Sequence, residues 1–120
     1  MSDHVFWVVE MTIKSGELVN FKALMNEMVD ATRANEPHAM NYEWFISEDD
    51  KQCHIYERYA DSAAVMTHLG NFGQHFAERF TAVVEETTSF TVYGNPSDEV
   101  REALRGFDAV FMAPIGGLAR

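Results

Sequence analysis

Apolar residues are arranged in two contrasting patterns along the first third of the chain. Residues 5–12 form an almost continuous apolar run in which Glu10 is the only charge, which is typical of a strand buried on both faces. Between residues 21 and 32, apolar side chains recur every three or four positions opposite a charged face, which predicts a long amphipathic helix. Pro37 ends this helix, because the residue before a proline is disfavoured in helical conformation.

A hairpin and a second helix are predicted next. In residues 40–47 and in residues 53–59, successive side chains alternate between two faces, and a charged turn joins the two segments. This pattern predicts two antiparallel strands. Asp61 is the predicted N-cap of a helix whose apolar stripe recurs every three or four residues as far as residue 83. Gly70, Asn71 and Gly73 interrupt this stripe, so we expect the helix to break or kink there into two pieces and to leave a pocket.

The C-terminal part predicts a fourth strand at residues 89–93 and a short helix that Ser97 caps and Gly106 ends. The order of elements is therefore β-α-β-β-α-β, which is that of the α+β ferredoxin-like fold, with an antiparallel sheet covered on one face by two helices. We expect a ferredoxin-like domain at residues 1–95. A C-terminal helix and extension at residues 96–120 should pack on the same domain or on a partner subunit.

The second face of the predicted sheet needs a cover of its own. Two helices cover only one face, yet the first strand is apolar on both faces and the second strand carries aromatic residues on both. We expect a second copy of the same sheet to provide the cover, which would make the protein a homodimer. The alternative is that the C-terminal tail folds back over this face.

Composition and charge limit the partners of the chain. It has 120 residues and a formal net charge of −10, and its nine Lys and Arg residues do not cluster. Nucleic acid and anionic membrane surfaces are therefore not expected as partners. We expect a cytoplasmic protein, because the sequence shows neither a membrane-spanning run nor a signal peptide. The single Cys53 cannot form an internal disulfide, and a half-buried strand position explains it more simply than a catalytic thiol.

Short motifs in the hairpin and second helix resemble one protein family. The motifs are Glu-x-aromatic at Glu57 to Tyr59, Ala63-Ala64, His68-Leu69, and His75-Phe76 followed by Phe80. With the element order, they resemble the antibiotic biosynthesis monooxygenase family of the dimeric α+β barrel superfamily. The resemblance spans roughly residues 5–93. It implies a pocket between the sheet and the second helix, and neither a flavin nor a metal cofactor.

The resemblance also implies a choice of activities. The family includes cofactor-free oxygenases of phenolic or quinol-like aromatics, haem-degrading enzymes, and proteins with no demonstrated reaction. The haem-degrading branch carries an Asn on the first strand and a Trp on the second helix, where this chain has Val8-Val9-Glu10 and His68. That branch also has a His as iron ligand, so His75 keeps haem binding open. His68 instead matches the group that includes small quinol oxygenases.

Direct oxidation of a phenol by O₂ requires a base, because the phenolate gives up an electron far more readily than the neutral phenol. His68, with an ordinary histidine pKa of about 6.5, is the predicted base near neutral pH. The candidate catalytic residues are His68, His75 and Glu57. The candidate aromatic walls of a substrate pocket are Trp7, Tyr42, Trp44, Tyr59 and Phe72. We expect no metal site, because no two of the five histidines have the i, i+4 spacing of a helical metal pair.

Structural roles are the alternative for each candidate. The aromatic residues could be ordinary core, and the histidines could be boundary residues bonded to a backbone carbonyl or to water. Glu57 needs a donor such as Arg58, Arg79 or a histidine, so a structural ion pair would also explain it. Three functional hypotheses follow: a cofactor-independent monooxygenase of a small aromatic metabolite, a protein that binds a hydrophobic ligand without transforming it, and a haem-binding protein.

Overall fold

The structure is a computed structural model that describes residues 2–120. Its elements in chain order are β1 (Val5–Ile13), α1 (Leu18–Asn35), β2 (Ala39–Ile46), β3 (Gln52–Tyr59), α2 (Ser62–His75), α3 (Ala77–Val83), β4 (Val84–Gly94), α4 (Asp98–Arg105) and β5 (Val110–Met112). The predicted β-α-β-β-α-β order and the ferredoxin-like α+β fold are confirmed. The second predicted helix is present as two segments, α2 and α3.

One five-stranded sheet organises the molecule, with strand order β2-β3-β1-β4-β5. The pairs β2–β3, β3–β1 and β1–β4 are antiparallel, and β5 runs parallel to β4. A parallel pair needs a crossover connection, and α4 lies within the segment that makes it. The sequence analysis predicted no strand after residue 93, whereas β5 pairs with β4 over three residues, from Thr91↔Val110 to Tyr93↔Met112.

The two faces of β1 differ in burial. Side chains from Val5 to Ile13 at odd positions are buried under the helices, and those at even positions are half-buried. The strand is therefore fully buried on only one face within a single chain. On the helix-free face, Phe6 stacks on Tyr93 with ring centroids 5.4 Å apart, and the Arg58 guanidinium lies 4.4 Å from the Phe6 ring centroid.

The helix is divided into two segments as expected, but the predicted position of the break was wrong. Helix α2 continues through Gly70, Asn71 and Gly73 to His75, and Phe76 separates it from α3. Its start was predicted correctly, since the Asp61 carboxylate accepts the backbone N–H of Ala64 at 2.9 Å. A glycine inside a helix costs only about 1 kcal/mol relative to alanine. Packing of the apolar stripe on the sheet outweighs that penalty.

The C-terminal extension packs on the same chain that carries it. Val100 and Leu104 of α4 are fully buried, and the Ser97 backbone N–H donates to the Ser62 hydroxyl at the start of α2 at 2.9 Å. After β5, Ile115 and Leu118 are exposed. Among residues 2–120, no helix combines the length and apolar character that crossing a membrane requires.

Candidate functional site

A cavity of about 470 Å³ lies between the sheet and the helices that cover it. This volume is in the range of small-molecule sites. Most of the wall is apolar and comes from the strands and from α1, α2 and α3. The lining residues are Trp7, Val9, Met11, Met28, Tyr42, Ile55, Glu57, His68, Leu69, Phe72, Ala77, Phe80, Thr81, Thr87, Phe90, Phe107 and Asp108.

His68 lies on the wall of this cavity between two buried carboxylates. Its Nδ1 is 3.0 Å from Oε1 of Glu36, and its Nε2 is 3.2 Å from Oε1 of Glu57. The three side chains are only 5–8 % exposed. Both ring nitrogens therefore have a carboxylate partner, and a histidine in this arrangement can donate on both sides.

Local sequence places each member of this group. Glu36 is the C-cap of α1, and its backbone N–H donates to the Thr32 carbonyl. The helix ends at this residue because Pro37 disfavours helical conformation in the residue before it. Asn71 follows His68 by three residues on α2 and therefore lies on the same helix face. Its side-chain amide donates to Oε2 of Glu36 at 3.3 Å. Two residues of α2 thus hold the same carboxylate.

Glu57 enters the group from β3. Its Oε1 accepts a second hydrogen bond, from the Tyr59 hydroxyl at 2.5 Å. The ring centroids of Tyr59 and Tyr42 lie 5.1 and 5.2 Å from that of His68. Glu57 lines the cavity, and its Oε2 accepts no hydrogen bond from residues 2–120. That oxygen can therefore accept a proton or a hydrogen bond from a ligand.

The electrostatics of the group differ from what an isolated histidine would give. Burial lowers the pKa of His68, but the hydrogen bonds to Glu36 and Glu57 outweigh burial and raise the pKa to about 9. His68 is therefore an imidazolium at neutral pH. Burial, and secondarily the charge of Glu57, raise the pKa values of Tyr42 and Tyr59 above the ordinary phenol value, so both tyrosines keep their protons.

Some of the five candidate aromatic residues line the cavity, and the others lie outside its lining. Trp7, Tyr42 and Phe72 line the cavity. Tyr59 is buried behind Glu57, to which it donates, and it is not part of the lining. Trp44 packs on aromatic side chains of α1 and α3 and is also outside the lining. Three of the five are therefore in a position to contact a ligand.

The candidate catalytic residues are divided as well. His68 and Glu57 meet at the cavity, whereas His75 is exposed at the end of α2 and does not line it. The donors to Glu57 are His68 and Tyr59, while Arg79 pairs with Glu27 on the surface. Glu36 was not selected by sequence analysis, because the only signal in its vicinity is the proline that ends the helix. Within the described part of the chain, no group of three or more His, Cys, Asp or Glu side chains is arranged to hold a metal ion.

Comparison with protein families gives one match that covers most of the site. A family model described as antibiotic biosynthesis monooxygenase matches residues 5–75. This segment contains Glu36, Glu57 and His68, and it ends before α3. No curated protein sequence matches the chain.

Solved structures share the fold. MupZ from Pseudomonas fluorescens is 22 % identical, with a TM-score of 0.86 over 100 % of this chain and 91 % of that one. Rv0793 from Mycobacterium tuberculosis is 21 % identical, with a TM-score of 0.66 over 79 % and 96 % of the two chains. SnoaB, a cofactor-independent oxygenase from Streptomyces nogalater, is 19 % identical, with a TM-score of 0.63 over 76 % and 91 %. Identities this low establish likeness of fold alone.

Proposed function

The chain belongs to the antibiotic biosynthesis monooxygenase family, and on this premise we propose that it is a cofactor-independent monooxygenase of a small quinol or phenol-like aromatic metabolite. The observation that carries the proposal is the carboxylate, imidazolium and carboxylate group formed by Glu36, His68 and Glu57 on the wall of an apolar cavity. It supplies a buried base beside a space that can hold an aromatic ring.

Glu57 is the proposed base. His68 is already protonated at neutral pH, since its pKa is raised to about 9, so it cannot take the substrate proton there. When Oε2 of Glu57 takes a hydroxyl proton, the negative charge moves from Glu57 to the substrate oxygen. His68 then still lies beside two anions, Glu36 and the substrate. No net charge is created in the low-dielectric site, which avoids a large desolvation penalty.

The substrate itself supplies the electrons for the proposed reaction. Its anion passes one electron to O₂, and the two radicals combine into a carbon–oxygen bond. Protonation gives a hydroperoxide, which loses water and leaves a carbonyl group on the ring. A quinol thereby becomes a hydroxyquinone, with one oxygen atom in the product and the other in water. All four electrons that reduce O₂ come from the substrate, and quinol-like substrates are favoured because a quinol gives up its first electron more readily than a simple phenol.

The cavity walls suit an aromatic substrate. Trp7 packs against Tyr59 and Phe90 with ring centroids 5.1 and 5.5 Å apart, so its indole is held in place. Tyr42 and Phe72 add aromatic surface on other sides of the cavity. The same walls would also suit a protein that binds a hydrophobic ligand without transforming it. That alternative is favoured by the fact that both nitrogens of His68 are already engaged.

A second copy of the chain is the proposed cover of the helix-free sheet face. Phe45, Val110 and Met112 are 51–57 % exposed, and Phe6 with Tyr93 adds a stacked aromatic pair. A homodimer that pairs these faces would bury them, and its total interface should be about 2,000 Å² or more.

Oxygen uptake with a panel of quinol and anthrone-like substrates tests the proposed function. Glu57→Gln and His68→Ala should each lose about 10²- to 10⁴-fold in rate, the range of general acid–base catalysis. His75→Ala should keep the wild-type rate, because His75 is exposed and outside the cavity lining. Unchanged turnover in folded Glu57→Gln would remove Glu57 from the mechanism. Absence of uptake by the wild type across the panel would favour the binding protein.

A further inference from the structure

We infer that Glu36 is a positioning residue for the proposed reaction: by anchoring Nδ1 of His68, it directs the Nε2–H of the ring towards Glu57 and the cavity. This inference rests on the proposed function, because Glu36 positions His68, and His68 is the hydrogen-bond partner of the proposed base, Glu57. Glu36 does not line the cavity, so it would act through His68 without touching the substrate.

The anchor is itself held in place. Glu36 is 7 % exposed, its backbone caps α1, and its second carboxylate oxygen accepts from Asn71. The polar side chains facing His68 are Glu36 from the connection after α1, Glu57 and Tyr59 from β3, and Tyr42 from β2. Among residues 2–120, no Lys or Arg pairs with either carboxylate. His68 is therefore the cation that both carboxylates depend on.

Loss of the Glu36 charge would change the protonation of the ring. A neutral amide at this position can still accept the Nδ1 proton, but it no longer stabilises the charged imidazole. When His68 becomes neutral with Nδ1 protonated, the Nε2 lone pair faces Oε1 of Glu57, and two acceptors then oppose each other. The Glu57 carboxylate would then be displaced from Nε2 and would lose the position from which it acts as the base.

Titration of His68 by NMR in the full-length protein tests the anchor without any substrate. In Glu36→Gln, the pKa of His68 should fall by about one unit or more, the usual effect of losing an adjacent opposite charge. The matched control is Glu27→Gln, which removes a carboxylate from a surface pair with Arg79 and should leave the His68 titration unchanged. An unchanged His68 titration in folded Glu36→Gln would overturn the inference.

Kinetics distinguish positioning from a general structural role. Glu36→Gln should lower kcat with little change in KM, and its deficit relative to the wild type should deepen as pH rises, because His68 loses its proton earlier. A deficit that is constant with pH would contradict the inference. If the wild type shows no turnover, the proposed function fails, while the NMR titration still decides whether Glu36 anchors the ring.

The geometry also points to a separate role for the C-terminal extension, which is to select neutral over anionic ligands. Phe107 and Asp108, between α4 and β5, line the cavity although they lie beyond the residues that the family model matches. The Phe107 ring is 6.3 Å from that of Phe90. Asp108 is exposed, and its carboxylate accepts no hydrogen bond from residues 2–120. With Glu57 also in the wall, carboxylates border the cavity on β3 and on this connection.

Binding of two naphthylamine probes to the full-length chain tests this selection. Neutral N-phenyl-1-naphthylamine should bind more tightly than anionic 8-anilinonaphthalene-1-sulfonate. Asp108→Asn should tighten the anionic probe by about 2- to 5-fold, the effect of one exposed charge, and leave the neutral one unchanged. Phe107→Ala should weaken both by about 2- to 10-fold, the range of a lost aromatic contact. The control Val19→Ala, at an exposed position of α1 outside the cavity lining, should change neither. An unaltered preference in Asp108→Asn, or unaltered binding in Phe107→Ala, would refute the role.

Discussion

Removal of His68 should destabilise the protein by an amount that depends on pH. The pKa of His68 is about 9 in the folded protein, against an ordinary value of 6.5. Folding therefore favours the protonated ring. The stabilisation is fully present below about pH 6.5, and it is lost as pH rises through about 9. Raising the pKa from 6.5 to about 9, at about 1.4 kcal/mol for each tenfold change in the protonation equilibrium, corresponds to about 3 kcal/mol.

Urea unfolding at a fixed protein concentration between about pH 6 and pH 10 measures this contribution. The lower limit lies above the range in which carboxyl groups ordinarily titrate. The difference in unfolding free energy between the wild type and His68→Gln should shrink by about 3 kcal/mol across this range. His75→Gln is the matched control, because it removes an exposed histidine from the same helix, and it should show no such trend.

A difference between wild type and His68→Gln that stays constant with pH would refute the reasoning. It would mean that the two carboxylates do not hold the ring as a cation in the folded protein. Glu57 would then lose its role as the preferred base, since that assignment rests on a protonated His68.

Three further predictions concern haem, assembly and backbone geometry. Hemin should give no stoichiometric Soret shift, and a one-to-one titration abolished by His75→Ala would contradict this. Light scattering at micromolar concentration should report a dimer, and a folded monomer would count against the proposed sheet pairing. Gly94 has φ of 111°, and a Cβ there would lie 2.6 Å from the His4 carbonyl oxygen, so Gly94→Ala should lower stability by about 1–3 kcal/mol. Its control, Gly70→Ala, has open space and should raise stability by about 0.5–1 kcal/mol in thermal unfolding.

The fold could be predicted from sequence because its signals are local. The alternation in residues 40–47 and 53–59, and the three- and four-residue spacing of the helices, depend only on neighbours in the chain. The family resemblance found in the short motifs is confirmed by the family match over residues 5–75. The position of the helix break was wrong because glycine's intrinsic helix cost is only about 1 kcal/mol, and tertiary packing that the sequence does not display outweighs it. Strand β5 was missed because three residues give too short a pattern.

The site was only partly predictable, because its geometry depends on contacts between distant segments. The selection of His68 and Glu57 came from a resemblance and from a strand pattern, and the structure brings the two together at 3.2 Å. Glu36 could not be found in this way, since it meets His68 only after α1 and α2 have packed on the sheet. The charge of His68 also depends on that packing. Sequence analysis assumed that His68 is neutral and acts as a base, whereas two buried carboxylates keep its ring protonated at neutral pH.

Incubation with ¹⁸O₂ and a quinol substrate, followed by mass spectrometry, tests the proposed oxygenation most directly. We predict one ¹⁸O atom per product molecule, one O₂ consumed per turnover, and loss of both signals by about 10²-fold or more in Glu57→Gln. Product that carries no ¹⁸O, or a wild-type protein that binds the quinol and consumes no O₂, would contradict the account.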